Sequence, residues 1–177
     1  MIINRLANFL EPDVLQSLRN KFENAKGTAS FEVNNMGRWG AGLEYGSYSP
    51  VLILPLEEYK EYFISKYCAL DPIFNDYKNL TCFMHIWLPG SQINFHHDDS
   101  GGSGNPRLSS TIYINPNWNW NWGGLFLYDD PDTGQGWIFP HPNSMVWFRP
   151  PIYHATSMVT MSAEFPRLSI QLFFNKY

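Results

Sequence analysis

At 177 residues, 44% hydrophobic and 17% aromatic, the chain has far too much apolar material for a disordered segment, and a single domain spanning residues 1–177 is expected. A formal charge of −4 and a pI near 5.7 supply no basic face for DNA or RNA, which excludes nucleic acid as an expected partner. The opening "MIINRLANFLEPDV" contains Arg5, Glu11 and Pro12 and no apolar core, and no run reaches about 18 apolar residues, so the expectation is a soluble cytoplasmic protein without signal peptide or membrane partner.

The first helix is predicted in "EPDVLQSLRNKFENAKG" (residues 11–27). Pro12 and Asp13 suit a first turn, Val14, Leu15, Leu18, Phe22 and Ala25 recur at helical spacing, and Gly27 is the stop. Residues 27–51 are rich in turn formers and read as strand, loop or both. A second helix is predicted over residues 55–70, opening at Pro55 with acids in its first turn and aligning Leu56, Tyr59, Phe63, Tyr67 and Leu70 on one side. Cys68 and Cys82 are the only cysteines, and their apolar neighbours make two buried, reduced thiols the expectation.

From residue 80 the pattern changes to short β-type runs punctuated by Gly, Pro and Asn. Strands are predicted at residues 81–88, 91–97, 108–115, 124–129, 144–149, 155–161 and 167–175. This spacing indicates a mainly β sandwich or barrel with flanking helices on one face. The biased run "NPNWNWNWGG" (residues 115–124) reads as a turn-bearing loop with aromatic contacts, although exposed tryptophans there could also grip a substrate.

Within this β region, "INFHHDDSGG" (residues 93–102) crowds four ionisable side chains into four positions. Residues two apart on a strand share a face, which separates His96 and Asp98 from His97 and Asp99. The first pair shares parity with polar Asn94, and the second falls in line with Ile93 and Phe95. An imidazole nitrogen and a carboxylate oxygen projecting together are two ligands of a divalent metal. By itself the stretch fits a solvated loop entry as well. A metal needs a third ligand, and the remaining histidines are His85 in mid-strand, His141 between two prolines, and His154 at the start of a predicted strand. Arg167, thirteen residues beyond His154, heads the apolar "RLSIQLFF". A guanidinium buried there requires an anion; the alternatives are a local pair with Glu164 or exposure at the strand end.

The order "HHD … RLSSTIYIN … WGGLFLY … H … PRLSIQLFF" resembles the iron(II) and 2-oxoglutarate-dependent dioxygenases, in the branch containing prolyl 4-hydroxylases, from about residue 80 to the C-terminus. The resemblance implies a double-stranded β-helix, or jelly roll, supported by the N-terminal helices. It implies Fe(II) held by His96, Asp98 and His154, with 2-oxoglutarate and O2 as co-reactants and ascorbate as reductant. Arg167 and Tyr113 would bind the distal carboxylate of 2-oxoglutarate, Phe126 would wall its pocket, and Thr111, Ser169 and Gln171 have the parity to line it. His97 and Asp99 are the alternative register for the metal, and His97, Asp99 or His85 could orient the ligands. The sequence departs from the family in the long His154–Arg167 interval and in Leu125, where an acidic residue often follows the Gly-Gly pair.

The implied activity is hydroxylation of an unactivated C–H bond, with succinate and CO2 as co-products, on a prolyl residue of a peptide or protein. A free amino acid or another small molecule is the alternative substrate. Trp39, Tyr45, Tyr48, Trp120 and Trp122 are candidates for an aromatic rim or for packing, and "SGGSGN" (residues 100–105) for a flap or a connection. Two other functions compete: a cupin-like zinc or manganese protein, which has no use for Arg167, and a non-catalytic jelly-roll binding module.

Overall fold

The computed structural model describes residues 3–25, 32–33, 51–77, 79–98, 107–149 and 152–176. In chain order these form β1 (Ile3–Leu6), α1 (Pro12–Ala25), β2 (Glu32–Val33), β3 (Val51–Pro55), α2 (Lys60–Leu70), β4 (Asn79–Trp87), β5 (Ile93–His96), β6 (Arg107–Tyr113), β7 (Phe126–Asp130), β8 (Gly134–Ile138), β9 (Ser144–Phe148), β10 (Tyr153–Thr156) and β11 (Arg167–Asn175). All the strand pairings are antiparallel. A major sheet in the order β1-β9-β6-β11-β4-β3-β2 faces a minor sheet in the order β5-β10-β7-β8. This is the expected mainly β architecture, a jelly roll with helices on one side.

Strand alternation divides the major sheet into two chemically different faces. Leu80, Cys82, Met84 and Ile86 of β4, and Leu168, Ile170, Leu172 and Phe174 of β11, join Leu15, Leu18, Phe22, Phe63 and Tyr67 of the helices in the largest core cluster. The opposite face carries His85 and Trp87 of β4, Thr111 of β6, and Arg167, Ser169 and Gln171 of β11, all lining the space between the sheets. Polarity thus points inward from the sheet-helix core. One polar pair crosses that core: the Tyr67 hydroxyl meets Ser110 Oγ at 2.6 Å, and Ser110 in turn donates to the Val146 carbonyl at 2.7 Å.

The first helix forms where its spacing predicts, with Leu15, Leu18, Phe22 and Ala25 buried. The second differs from expectation. Pro55 closes β3 rather than opening a helix, residues Glu57–Tyr59 make a single 3-10 turn, and α2 starts at Lys60. Leu56 is buried ahead of the helix and Leu70 is exposed, so the buried side of α2 is carried by Phe63 and Tyr67. The strand predicted at residues 155–161 is displaced to Tyr153–Thr156, and Val159 makes only an isolated bridge to Gly123. Strands β1, β3 and β8 were not expected. The last contains Gly134 and Gly136, and the absent side chain of Gly136 is needed because a Cβ there would lie 2.4 Å from the Tyr128 hydroxyl.

Neither cysteine forms a disulfide; Cys82 is buried, and burial pushes its thiol up to about 12. No helix among the described residues is long and apolar enough to cross a membrane.

Candidate active site

His96 ends β5 and His154 lies in β10, its antiparallel neighbour, where the two are register partners. A register shift between His154 and Thr156 pairs Ile93 with Thr156, so β5 carries one extra residue over this interval. Parity does not hold across such a bulge. Ile93 and His96, three apart, both line the inter-sheet space, and Asn94 is exposed instead of sharing the face of His96. Phe95 projects elsewhere and stacks on Tyr153, with ring centroids 5.5 Å apart.

Asp98 follows two residues after the strand and turns its carboxylate back between the imidazoles. Its Oδ1 lies 3.7 Å from His96 Nε2 and 3.5 Å from His154 Nε2, and one ligand atom from each of the three residues falls within 4.8 Å of the others. Both imidazoles are oriented from behind. His96 Nδ1 donates to the Asn94 carbonyl at 2.8 Å and His154 Nδ1 to the Ile152 carbonyl at 3.2 Å. A carbonyl only accepts, so each Nδ1 carries a hydrogen, and Nε2 is the nitrogen that faces Asp98 and is left to bind a metal once the ring is neutral. Asp98 Oδ2 is buried and has no hydrogen-bond partner among the described residues.

The electrostatics match a cation-binding centre. Burial pushes His96 down to about 4, which keeps it neutral. Burial also resists the charge on Asp98, but His154 beside it outweighs that effect and holds the carboxylate at about 2. At His154 burial works against protonation, and the Asp98 carboxylate overcomes it, so its pKa lies above the ordinary value. The triad therefore presents one permanent negative charge and two nitrogens, a set that suits ferrous iron.

Arg167 is in the same cavity and is 1% exposed. Its guanidinium sits over the rings of Tyr113 and Trp87, at 5.0 and 5.4 Å, and Nη1 donates to Ser169 Oγ at 3.3 Å. Its pKa is depressed by burial, Nε has no hydrogen-bond partner, and no carboxylate among the described residues pairs with it, Glu164 included. The Tyr113 hydroxyl is likewise buried; among the described residues no hydrogen bond of good geometry reaches it, and the Arg167 guanidinium beside it is the charged group it interacts with. A buried cation and a hydroxyl, both short of partners in one cavity, fit the missing end of a dicarboxylate. The backbone is shaped around this cation. Gly124 has φ +65°, and a Cβ on it would lie 2.6 Å from Arg167 Cδ.

The remaining expected residues fall as follows. Phe126 lines the cavity and stacks on His154, with centroids 5.4 Å apart. Thr111 Oγ1 donates to Gln171 Oε1 at 2.8 Å, and Ser169 joins Arg167 and Trp87. His85 lines the same cavity between Phe83 and Trp87, and burial pushes it down to about 3. His97 faces Tyr153, with ring centroids 4.7 Å apart, and is in no ligand cluster among the described residues. Asp99, Trp39, Tyr45, Tyr48 and residues 100–105 lie outside the described residues. Trp122 is core, packed on Trp118 and Phe165, and Trp120 stacks on Phe139. Trp87 and Phe173 were not anticipated as lining residues. Alternation from Arg167 would have found Phe173, whereas Trp87 enters only because β4 pairs it with Arg167.

Residues 82–175 match the family model of the 2OG-Fe(II) oxygenase superfamily. The chain belongs to this superfamily. It is thus a 2-oxoglutarate-dependent dioxygenase, and the family implies Fe(II), 2-oxoglutarate and O2 as its reactants. No curated protein matches the sequence. Among solved structures, a prolyl-4-hydroxylase of Pseudomonas putida superposes with a TM-score of 0.79 at 16% identity, covering 99% of this chain and 92% of the other. A Trichoplax adhaerens prolyl hydroxylase, in complex with a hypoxia inducible factor oxygen degradation domain peptide fragment, gives 0.75 at 17% identity, covering 98% and 83%. The viral collagen prolyl hydroxylase of Paramecium Bursaria Chlorella virus-1, in its 2OG complex, gives 0.61 at 13% identity, covering 99% and 96%. Identities this low establish the shared jelly roll and leave the substrate open.

Proposed function

We propose that this dioxygenase hydroxylates a prolyl residue of a peptide or protein, acting as a single domain over residues 1–177. One C–H bond becomes C–OH while 2-oxoglutarate and O2 are converted to succinate and CO2. The observation that carries the reading is the convergence, in one cavity, of the His96/Asp98/His154 cluster with a buried Arg167 that meets no carboxylate among the described residues. A cupin-like metal protein accounts for the first feature and not the second.

In this reading His96 Nε2, His154 Nε2 and Asp98 Oδ1 hold iron, which when bound supplies the oxidising chemistry. Arg167 and Tyr113 anchor the distal carboxylate of 2-oxoglutarate. Ser169, itself contacted by Trp87, keeps the guanidinium aimed, and Phe126 and Ile93 exclude water from the ligand side. Thr111 fixes the Gln171 amide by occupying its oxygen, which leaves the amide N–H groups as donors within the cavity. The prolyl assignment draws on the likeness to prolyl hydroxylases and extends it to this chain.

The test is aerobic incubation with Fe(II), 2-oxoglutarate and ascorbate, following succinate, together with mass spectrometry of proline-containing peptides for the gain of one oxygen. His96→Ala, Asp98→Ala and His154→Ala should each abolish turnover while the variants stay folded. Full activity in any one removes that residue from the ligand set. Succinate formation with no peptide oxidised, across a diverse proline library, would move the substrate to a small molecule.

A further inference from the structure

We infer that Arg107 is a positioning residue for the metal centre, holding the backbone that carries Asp98; this rests on the proposed ligand set. Asp98 is the one member of the cluster outside a strand, since β5 ends at His96. Both histidines are braced locally, through carbonyls two residues before them, Asn94 within β5 and Ile152 just ahead of β10. The Asp98 backbone is held from across the fold. Arg107, the first residue of β6, donates from Nη1 to the Asp98 carbonyl at 3.0 Å.

The guanidinium is itself fixed on two other sides. Nε donates to Asn175 Oδ1 at 3.0 Å, and the planar group lies over the Phe173 ring with Cζ 5.0 Å from its centroid. Phe173 and Asn175 both belong to β11, and Asn175 is the register partner of Arg107. Arg107 thus connects the carboxylate ligand to the central strand that also carries Arg167. A guanidinium can make two directed bonds while stacking, whereas a lysine ammonium at the same place could not keep this geometry. Among the described residues Asp98 Oδ2 has no hydrogen bond of good geometry, so the backbone anchor is a directed constraint on this ligand beside the imidazoles that face Oδ1. Groups that orient a metal ligand are typically worth about 10- to 100-fold in affinity.

The test is Mn(II) binding to the metal-free protein by titration calorimetry, with thermal unfolding measured in parallel. Arg107→Met keeps the apolar stem over Phe173 and removes both directed bonds. It should weaken Mn(II) binding by about 10- to 100-fold, with little change in the unfolding temperature of the metal-free protein, and excess Fe(II) should restore turnover. Asn175→Ala frees one side of the guanidinium and should give a smaller loss in the same direction; it decides the matter if Arg107→Met does not fold. Wild-type Mn(II) affinity in the folded variants, or lower stability with affinity unchanged, overturns the inference. Should wild-type protein and Asp98→Ala fail alike to bind Mn(II), the ligand assignment itself falls.

Discussion

Arg167→Met isolates what the buried guanidinium does. In the structure this cation is removed from water; among the described residues it donates a hydrogen bond to Ser169, lies beside the Tyr113 hydroxyl and meets no carboxylate. Burying an unpaired charge costs several kcal/mol. Against this stand two ring contacts, to Tyr113 and Trp87, each worth about 0.5–2 kcal/mol. The two contributions roughly cancel or leave a deficit, so replacing Arg167 with an apolar side chain of similar reach should not destabilise the metal-free, cosubstrate-free protein. Its unfolding temperature should stay level or rise, by about 2–4 °C for each kcal/mol gained in a chain of this size. Cosubstrate binding should respond in the opposite direction. Losing one partner of a buried, hydrogen-bonded charge pair costs about 2–5 kcal/mol, or roughly 30- to 5,000-fold in Kd. The assay is thermal unfolding and calorimetry of Mn(II)-loaded wild type and variant with increasing 2-oxoglutarate. Clear destabilisation of the unliganded variant together with unchanged 2-oxoglutarate affinity would refute the reasoning and make Arg167 a structural residue.

The same cavity yields three further expectations. Tyr113→Phe removes a buried hydroxyl that has no hydrogen bond of good geometry among the described residues, so stability should hold while the KM for 2-oxoglutarate rises by about tenfold, the worth of one charge-assisted bond; steady-state kinetics and unfolding check both. Gly124→Ala places a Cβ against the stem of Arg167 at a positive φ, so it should cost more than about 1 kcal/mol in stability and raise the 2-oxoglutarate requirement, which unfolding curves and KM measurements will show. A metal must displace the proton that Asp98 helps His154 retain, whereas His96, at about 4, is already neutral. Mn(II) affinity should therefore strengthen as pH rises towards the elevated pKa of His154, then level off above it, with a slope of about tenfold per pH unit below it. A flat calorimetric profile from mildly acidic to mildly alkaline pH would contradict this.

Residue chemistry and periodicity determined α1 and most of the strands, and marked the ionisable residues from which the proposed site is built. A helix whose apolar residues fall at Leu15, Leu18 and Phe22 needs no partner to define which face it buries, and alternation in "RLSIQLFFN" alone separates a cavity face from a helix face. His96, Asp98, His154 and Arg167 were legible because ionisable groups among apolar strands need a reason to be there. What depended on distant chain was not legible. Strand β1 exists because β9 offers it an edge, β3 because β4 does, and β8 is a glycine-bearing strand defined by its pairing with β7. The bulge in β5 breaks the simple parity argument, although His96 and Asp98 still come together with His154, since register is a property of two strands and one sequence shows only one of them. The meeting of His96 with His154, the lack of a carboxylate against Arg167 among the described residues and the hold of Arg107 on Asp98 likewise arise from contacts between residues far apart in the chain. Local sequence fixes which groups are available; only tertiary packing decides which of them meet.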